Sequence, residues 1–186
     1  MMITKSKIFN LPNTITLIRI GIVPFLFLLL TAPGKMGSLI LAIFFVAAAI
    51  TDLLDGYFAR RYKLVTTMGK FLDPIADKLI VNTAMILMIP IGRIPAWIVA
   101  LTIMRDLIVD GIRSIASSEG FYIQASRLGK QKTLAQIIAV TALMIHYPLF
   151  GADAHFVGMI VLYLAFALTV YSGTDYFIKF YRHIKK

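Results

Sequence analysis

Four aspartates lie close together in the sequence, in an arrangement that suits metal-assisted chemistry. Asp52, Asp55, Asp73 and Asp77 fall within 26 residues, each in or at the edge of an apolar stretch. An ionised carboxylate there costs about 2.5–3.5 kcal/mol on membrane-insertion scales, so such residues face the interior of a helix bundle. On α-helices the first two are separated by about 60° and the last two by about 40°. Two helices joined by a short turn therefore bring all four carboxylates together.

Clusters of this kind bind hard divalent cations. Four close carboxylates repel one another, and Mg²⁺ or Mn²⁺, which prefer oxygen ligands, relieve that repulsion. Two bridged metal ions form a clamp for phosphoryl chemistry, and a carboxylate at the edge of the cluster can act as a general base. Gly56 and Ala59 share the face of the first acid pair, and Gly69 precedes the second pair by one turn. These small residues let a ligand approach closely.

Two other interpretations of the acidic cluster remain open. The aspartates could be helix-end residues paired with Arg60, Arg61, Lys70 and Lys78. That pairing explains any single aspartate, whereas four acids on two convergent helix faces favour a functional cluster. A cation pathway through a transporter would also place acidic residues within apolar spans.

The composition indicates that a lipid bilayer surrounds these elements. The 186 residues favour a single domain over 1–186, and 59% of them are hydrophobic while only 15% are charged. A soluble domain is usually about half apolar and about a quarter charged. Cysteine is absent, which excludes disulfides, thiolate metal sites and a cysteine nucleophile. The histidines, which are His146, His155 and His183, form no ligand pattern with one another.

Six apolar segments can cross a membrane, the shorter ones with the help of their flanks. They are Leu17–Leu30, Leu39–Ala59, Phe71–Ile91, Trp97–Ile115, Leu134–Phe150 and Phe156–Phe177. Pro24 interrupts the first, which argues against a cleaved signal peptide. The stretch Asn13–Arg19 is predicted as a short helix in the interface, capped by Asn13. We therefore predict an all-α integral membrane protein with six transmembrane helices and a short N-terminal interfacial helix.

Lysine and arginine concentrate on one side of this predicted topology. They precede the first segment, follow the sixth, and fill the connections between the second and third and between the fourth and fifth. The opposite connections carry only Lys35 and Arg93. The positive-inside rule then places both termini and the acidic cluster on the cytoplasmic side of the cell membrane. Because this topology accounts for the net charge of +10, no nucleic-acid partner is predicted.

The acidic segment resembles the CDP-alcohol phosphatidyltransferase family. From Asp52 to Asp77 it fits the pattern D-x2-D-G-x2-A-R-x8-G-x3-D-x3-D at every fixed position. The resemblance implies a six-helix membrane enzyme, usually a homodimer, that uses two Mg²⁺ ions, with Mn²⁺ as the alternative. It also implies that Asp52, Asp55 and Asp73 hold the metals, and that Asp77 completes the site and deprotonates the acceptor hydroxyl. The implied contacts to the CDP-lipid are Asn13, Thr16, Gly56, Ala59, Arg60, Thr66 and Gly69.

Other segments resemble the bacterial members of this family that use CDP-diacylglycerol as donor and glycerol 3-phosphate as acceptor. They are Asn10–Arg19, Gly69–Lys78, Arg105-Asp106 with Arg113, and Gly129–Thr133 with Gln136. A doubly charged acceptor phosphate requires cations, and the predicted ones are Arg105, Arg113, Lys130 and Lys132. The expected products are phosphatidylglycerophosphate and CMP.

Alternatives for the acceptor site remain open as well. The same chemistry could act on phosphatidylglycerol, inositol phosphate or serine. Lys130 and Lys132 could be ordinary charges of a cytoplasmic loop. Arg105 and Arg113 could instead form buried pairs with Asp106 or Asp110.

Overall fold

Apolar runs of about 20 residues fold into long helices, which dominate the computed structural model. The structure describes Gly21 and residues 34–61, 67–119, 127–149 and 151–185, with the side chains of all of these except 52–61, 67–77, 117, 127, 130, 183 and 184. The helices of this part are α1 (Lys35–Arg61), α2 (Thr67–Met88), α3 (Ala96–Ser118), α4 (Arg127–Ile145) and α5 (Ala154–Ile184). The strands are β1 (Pro148–Leu149) and β2 (Ala152–Asp153).

The second to sixth predicted segments are confirmed as helices, but two of them end earlier than predicted. The third ends at Met88 rather than Ile91, because the chain turns there and Gly92 adopts a φ of 70°. The amide of Gly92 donates to the carbonyl of Ile89 at 2.9 Å and closes this turn. The first predicted segment, apart from Gly21, and the interfacial helix Asn13–Arg19 lie outside the described residues.

The fifth segment ends at Ile145 rather than Phe150, because proline disfavours helix in the residue before it. His146 follows with a φ of 61°, the left-handed conformation that often terminates helices. A two-residue antiparallel pair, which the sequence did not predict, joins Pro148 to Asp153 and leads into α5. The Oδ1 atom of Asp153 accepts hydrogen bonds from the amides of His155 and Phe156 at 2.9 and 3.2 Å. This carboxylate caps α5 at its N-terminus.

Helix α4 lies at the centre of the packing. It packs most extensively against α5, with which it forms an antiparallel hairpin, and it also contacts α1 and α2. Helix α5 packs on its other side against α3. The largest fully buried side chains are Leu41, Phe45, Met85, Met88, Ile98, Val99, Val140, Leu143, Met144 and Leu162. The core therefore joins all five helices.

Gly158 allows the closest approach between α4 and α5. A Cβ atom added at this buried position would lie 2.8 Å from Cγ of Leu143 and 3.1 Å from its backbone nitrogen. Small residues at helix crossings are the usual means of close packing between membrane helices. The backbone atom cannot move aside without shifting the whole of α4.

Arg93 ties three elements together at one end of the bundle. Arg93 is buried in the connection between α2 and α3. Its Nη1 donates to the carbonyl oxygen of Met144, in the last turn of α4, at 2.7 Å. Its Nη2 donates to Oγ of Ser38, in the first turn of α1, at 3.4 Å. Burial lowers the pKa of Arg93 from its usual value. An arginine nevertheless stays protonated, and its charge stabilises the carboxyl end of α4.

Among the described residues, α5 has the length and apolar composition of a membrane-crossing helix, over Ala154–Arg182. Shorter apolar helical stretches are Lys35–Thr51, Lys78–Met88 and Gln131–Ile145.

Replacing Gly158 by alanine should destabilise the protein by about 1–3 kcal/mol, because the added methyl group overpacks the contact with Leu143. The matched control is Gly111→Ala, since Gly111 is exposed on α3 and an added Cβ would meet no atom within 4 Å. The control should be neutral or stabilising by up to about 1 kcal/mol, because alanine favours helix. Thermal unfolding in detergent measures both, and equal stability of the two variants would contradict the close contact.

Replacing Arg93 by methionine should cost about 1–3 kcal/mol, because the Met144 carbonyl loses a buried hydrogen bond. Lys35→Met removes the same charge from an exposed side chain whose Nζ lies 5.8 Å from the centre of the Tyr147 ring, and loss of this cation–π contact should cost no more than about 0.5–1 kcal/mol. Comparable losses in both variants would show that charge, rather than hydrogen bonding, is what this end of the bundle requires.

Candidate active site

The structure places each predicted acid pair on its own helix. Asp52 and Asp55 belong to α1, and Asp73 and Asp77 belong to α2, so the predicted helical spacings are confirmed. Their side chains lie outside the described residues, as do the side chains of Gly56, Ala59, Arg60 and Gly69. Asn13, Thr16 and Thr66 lie entirely outside them. The metal-binding and CDP-lipid-binding roles of these residues stay predictions.

The acid pairs lie at the end of the bundle opposite Arg93. Ser38, which contacts Arg93, lies in the first turn of α1, and Asp52 follows it by 14 residues. With a rise of 1.5 Å per residue, that separation is about 21 Å along the helix. Helices α1 and α2 contact each other, and α2 also contacts α3 and α4. The two helices that carry the acid pairs therefore adjoin α3 and α4.

Asp106 forms the centre of a buried charge network beside this region. Its side chain lies on α3, and the residue is 5% exposed. The Oδ1 atom accepts a hydrogen bond from Nη1 of Arg105 at 2.9 Å and another from Nζ of Lys132 on α4. Lys132 is also 5% exposed. A buried ion is tolerated only when it is paired and hydrogen-bonded, and each of these residues meets that condition.

Arg105 extends the network to α5. Its Nη2 donates to Oγ of Ser172 at 2.7 Å, and this hydroxyl in turn donates to the Thr169 carbonyl at 3.2 Å. A Cβ atom at Gly173 would lie 2.9 Å from Nε of Arg105, so a larger residue there would displace the Arg105 side chain from its present position. Nε is buried and makes no hydrogen bond with the part of the chain that the structure describes.

A second ion pair joins α2 to α3. Nζ of Lys78 donates to Oδ2 of Asp110, and both side chains are partly exposed. Lys78 directly follows Asp77, and Asp110 lies four residues after Asp106 on the same face of α3. The two ion pairs therefore lie about one helical turn apart along α3. Together they form one charge cluster, which consists of Lys78, Arg105, Asp106, Asp110 and Lys132.

The predicted acceptor-binding cations are placed in different ways. Arg105 and Lys132 both pair with Asp106. For Arg105 this is the buried ion pair that the sequence offered as an alternative to phosphate binding. Arg113 is exposed on α3, and Asp110 pairs with Lys78 instead of with it. Lys130 lies in α4 with its side chain outside the described residues. The phosphate-binding role of these four residues stays a prediction.

Sequence reasoning did not assign the partners that organise this cluster. The sequence offers Asp106 and Asp110 as possible partners of Arg105 and Arg113, and it does not single out Ser172. The i, i+4 spacing of Asp106 and Asp110 within an apolar helix indicates their role, since each acid there needs a partner from a neighbouring helix. The sequence points only weakly to Ser172, because a serine next to a glycine is common at helix crossings.

The chemistry of the acidic residues fits a divalent cation on α1 and α2. Of the nine acidic residues, five lie outside the motif, and the structure gives four of these another task. Asp106, Asp110 and Asp175 pair with cations, and Asp153 caps α5. Glu119 is exposed just after α3. The motif aspartates are thus the group whose number and oxygen donors suit Mg²⁺.

Comparison with known proteins identifies the family. The family model of the CDP-alcohol phosphatidyltransferases matches residues 9–171, a range that contains the four motif aspartates and the charge cluster. The chain belongs to the CDP-alcohol phosphatidyltransferase family. It is therefore an enzyme of the phosphatidyltransferase type, as the motif predicted.

Curated relatives of this CDP-alcohol phosphatidyltransferase are similar over most of its length. A "CDP-diacylglycerol--glycerol-3-phosphate 3-phosphatidyltransferase" of Bacillus subtilis is 41% identical, with 95% of this chain and 98% of the relative covered. A protein of the same name from Rickettsia typhi is 37% identical, with 90% and 95% covered. A "probable phosphatidylglycerophosphate synthase" of Mycobacterium tuberculosis is 36% identical, with 97% and 86% covered.

Proposed function

We propose that this chain transfers the phosphatidyl group of CDP-diacylglycerol to glycerol 3-phosphate, yielding phosphatidylglycerophosphate and CMP. The observation that carries the proposal is the 41% identity, over 95% of this chain, with a relative named for this reaction. The placement of the acid pairs on adjacent helices, next to a cluster of cations, supports the same reaction.

We further infer that the helices cross the cell membrane. Large apolar side chains are more than half exposed on four helices, as Phe44 on α1, Leu107 on α3, Leu134 on α4 and Leu164 on α5 illustrate. Such surfaces would be unfavourable in water and suit the hydrocarbon core of a bilayer. With the first predicted segment included, six spans place both termini and the acid pairs on the cytoplasmic side. The family resemblance also supports a homodimer.

Two Mg²⁺ ions fit the motif, with Asp52, Asp55 and Asp73 as proposed ligands and Asp77 completing the set. When bound, such ions neutralise the diphosphate of the donor and stabilise charge on the attacking and leaving oxygens. Arg60 is proposed to hold the CDP moiety. The other proposed contacts to the CDP-lipid are Asn13, Thr16, Gly56, Ala59, Thr66 and Gly69.

The proposed reaction is a single displacement at phosphorus. Asp77 accepts the proton of the primary hydroxyl of glycerol 3-phosphate. The hydroxyl oxygen then bonds to the phosphorus nearer the diacylglycerol, the bond from that phosphorus to the bridging oxygen breaks, and CMP leaves with that oxygen. Most of the rate enhancement would come from holding the two substrates in line and from neutralising their charges.

The acceptor phosphate is proposed to bind to Arg105, Arg113, Lys130 and Lys132. The described charge cluster supports this assignment, because its three cations exceed its two acids by one. An ammonium has three N–H donors, so Lys132 retains donors beyond its contact with Asp106. A doubly charged phosphate gains more from such a region than an uncharged alcohol does.

The reaction is tested by measuring CMP release from CDP-diacylglycerol by the purified protein in detergent with Mg²⁺. Release should require glycerol 3-phosphate and should fall at least about a hundredfold in Asp77→Asn, which removes the proposed base. The matched control is Asp175→Asn, whose carboxylate pairs with Lys179 within α5 and should leave the rate within about twofold.

Undiminished release by Asp77→Asn would contradict the role of Asp77. Absence of release with every acceptor, together with divalent metal flux into sealed liposomes, would favour the transporter interpretation instead.

The acceptor is tested by competition between glycerol 3-phosphate, phosphatidylglycerol, inositol phosphate, serine and glycerol at equal concentrations. Glycerol 3-phosphate should be preferred over uncharged glycerol by at least about tenfold, because one charge-assisted hydrogen bond contributes that much. Product analysis by mass spectrometry gives the ratio. Preference for an uncharged acceptor would contradict the assignment of the cations to the acceptor phosphate.

A further inference from the structure

Two acids on one face of α3 each hold a cation from a different neighbouring helix. Asp106 holds Lys132 of α4, and Asp110 holds Lys78 of α2. Helix α2 carries the proposed base immediately before Lys78. Helix α3 thus connects the helix of the base to the helix of a proposed phosphate-binding lysine.

The two ion pairs differ in burial, and this difference singles out Asp106. Lys78 and Asp110 retain 30% and 40% of their side-chain exposure, whereas Lys132 and Asp106 retain 6% each. Exposed pairs contribute little because water screens them. In the buried pair the carboxylate determines where the ammonium lies, because a lysine side chain is otherwise a flexible four-carbon chain.

The arrangement at Asp106 also leaves hydrogen-bonding capacity on the cations. A single oxygen, Oδ1, receives both Nη1 of Arg105 and Nζ of Lys132. Nη2 of Arg105 is engaged by Ser172, so the guanidinium is fixed from two sides. A binding site for a tetrahedral anion requires donors held in place, and this arrangement fixes the positions of both cations.

We propose that Asp106 is a positioning residue for recognition of the acceptor phosphate. It acts through Lys132, whose ammonium it holds at a fixed place beside Arg105, and it does not itself contact the substrate. This inference rests on the proposed function, since it assumes a phosphate-bearing acceptor. It predicts that loss of the Asp106 charge weakens binding of glycerol 3-phosphate far more than binding of the CDP-lipid.

The experiment compares steady-state kinetics of Asp106→Asn, Asp106→Glu, Lys132→Met and the double variant Asp106→Asn/Lys132→Met, with Asp175→Asn as control. In Asp106→Asn the KM for glycerol 3-phosphate should rise about ten- to a hundredfold, the effect of one charge-assisted hydrogen bond. The KM for CDP-diacylglycerol should stay within about twofold. Asp106→Glu retains the charge and should recover most of the loss.

The double variant separates positioning from a general effect on folding. It removes both Asp106 and Lys132, so no ammonium is left unpaired, while the guanidinium of Arg105 loses the carboxylate and keeps its hydrogen bond to Ser172. If Asp106 acts through Lys132, the KM for glycerol 3-phosphate in the double variant should equal that of Lys132→Met. A further rise in the double variant would overturn the proposal.

Failure of the inference and failure of the proposed function give different results. If the wild-type protein releases CMP with glycerol 3-phosphate but Asp106→Asn leaves its KM unchanged, or raises the KM of both substrates equally, only the inference is overturned. If the wild-type protein does not react with glycerol 3-phosphate at all, the proposed function is wrong and the inference with it.

Discussion

An ionised side chain in the apolar interior of a helix bundle must meet a partner, and this constraint sets much of the described structure. The buried polar and charged residues there fall into two groups at different levels of the bundle. At one end Arg93 meets the carboxyl end of α4 and the start of α1. Further along, Asp106 joins α3 to α4, and Arg105 joins α3 to α5. Apolar packing favours association of the helices in general, whereas these pairs specify which turns of them meet.

The same constraint applies to the motif aspartates. Most of the other acids have a cation or a helix terminus as partner, and the motif aspartates, whose side chains lie outside the described residues, add four carboxylates on two contacting helices. Cations from the protein itself would be one way to compensate these charges, and divalent metal ions are another. The metal ions explain more, because a permanent pairing with lysine or arginine gives no reason for the fixed spacing of acids and glycines in the motif.

The helices could be predicted from the sequence because long apolar runs determine them, and five of the six predicted segments are confirmed as helices. Their ends were less predictable. Met88 and Ile145 end their helices because of local backbone conformations near Gly92 and Pro148, which an apolar run does not reveal. The short strand pair after α4 was missed for the same reason.

The ion-pair partners could not be predicted, because the sequence offers several equivalent choices. Asp110 could have paired with Arg113 one turn along α3, and the contact between α2 and α3 brings Lys78 to it instead. Arg105 could have been left for a ligand alone, but Asp106 and Ser172 both hold it. Choices of this kind depend on how helices are rotated against one another, and that rotation is set by the whole core.

Incomplete charge compensation would let the charge cluster serve the proposed phosphate binding as well as folding. Three unpaired cations in an apolar interior would be costly, because each would lose its hydration without a partner. Three cations paired with three acids would be neutral and would attract a phosphate only weakly. Among the side chains that the structure describes, Lys78, Arg105 and Lys132 meet two acids, Asp106 and Asp110, so these five residues together carry one net positive charge. The two acids thus hold the cations in place without a ligand, and under the proposed function the surplus positive charge would favour an anionic acceptor. Asp106, which positions Lys132 in this proposal, then matters to recognition of the acceptor as much as the lysine does.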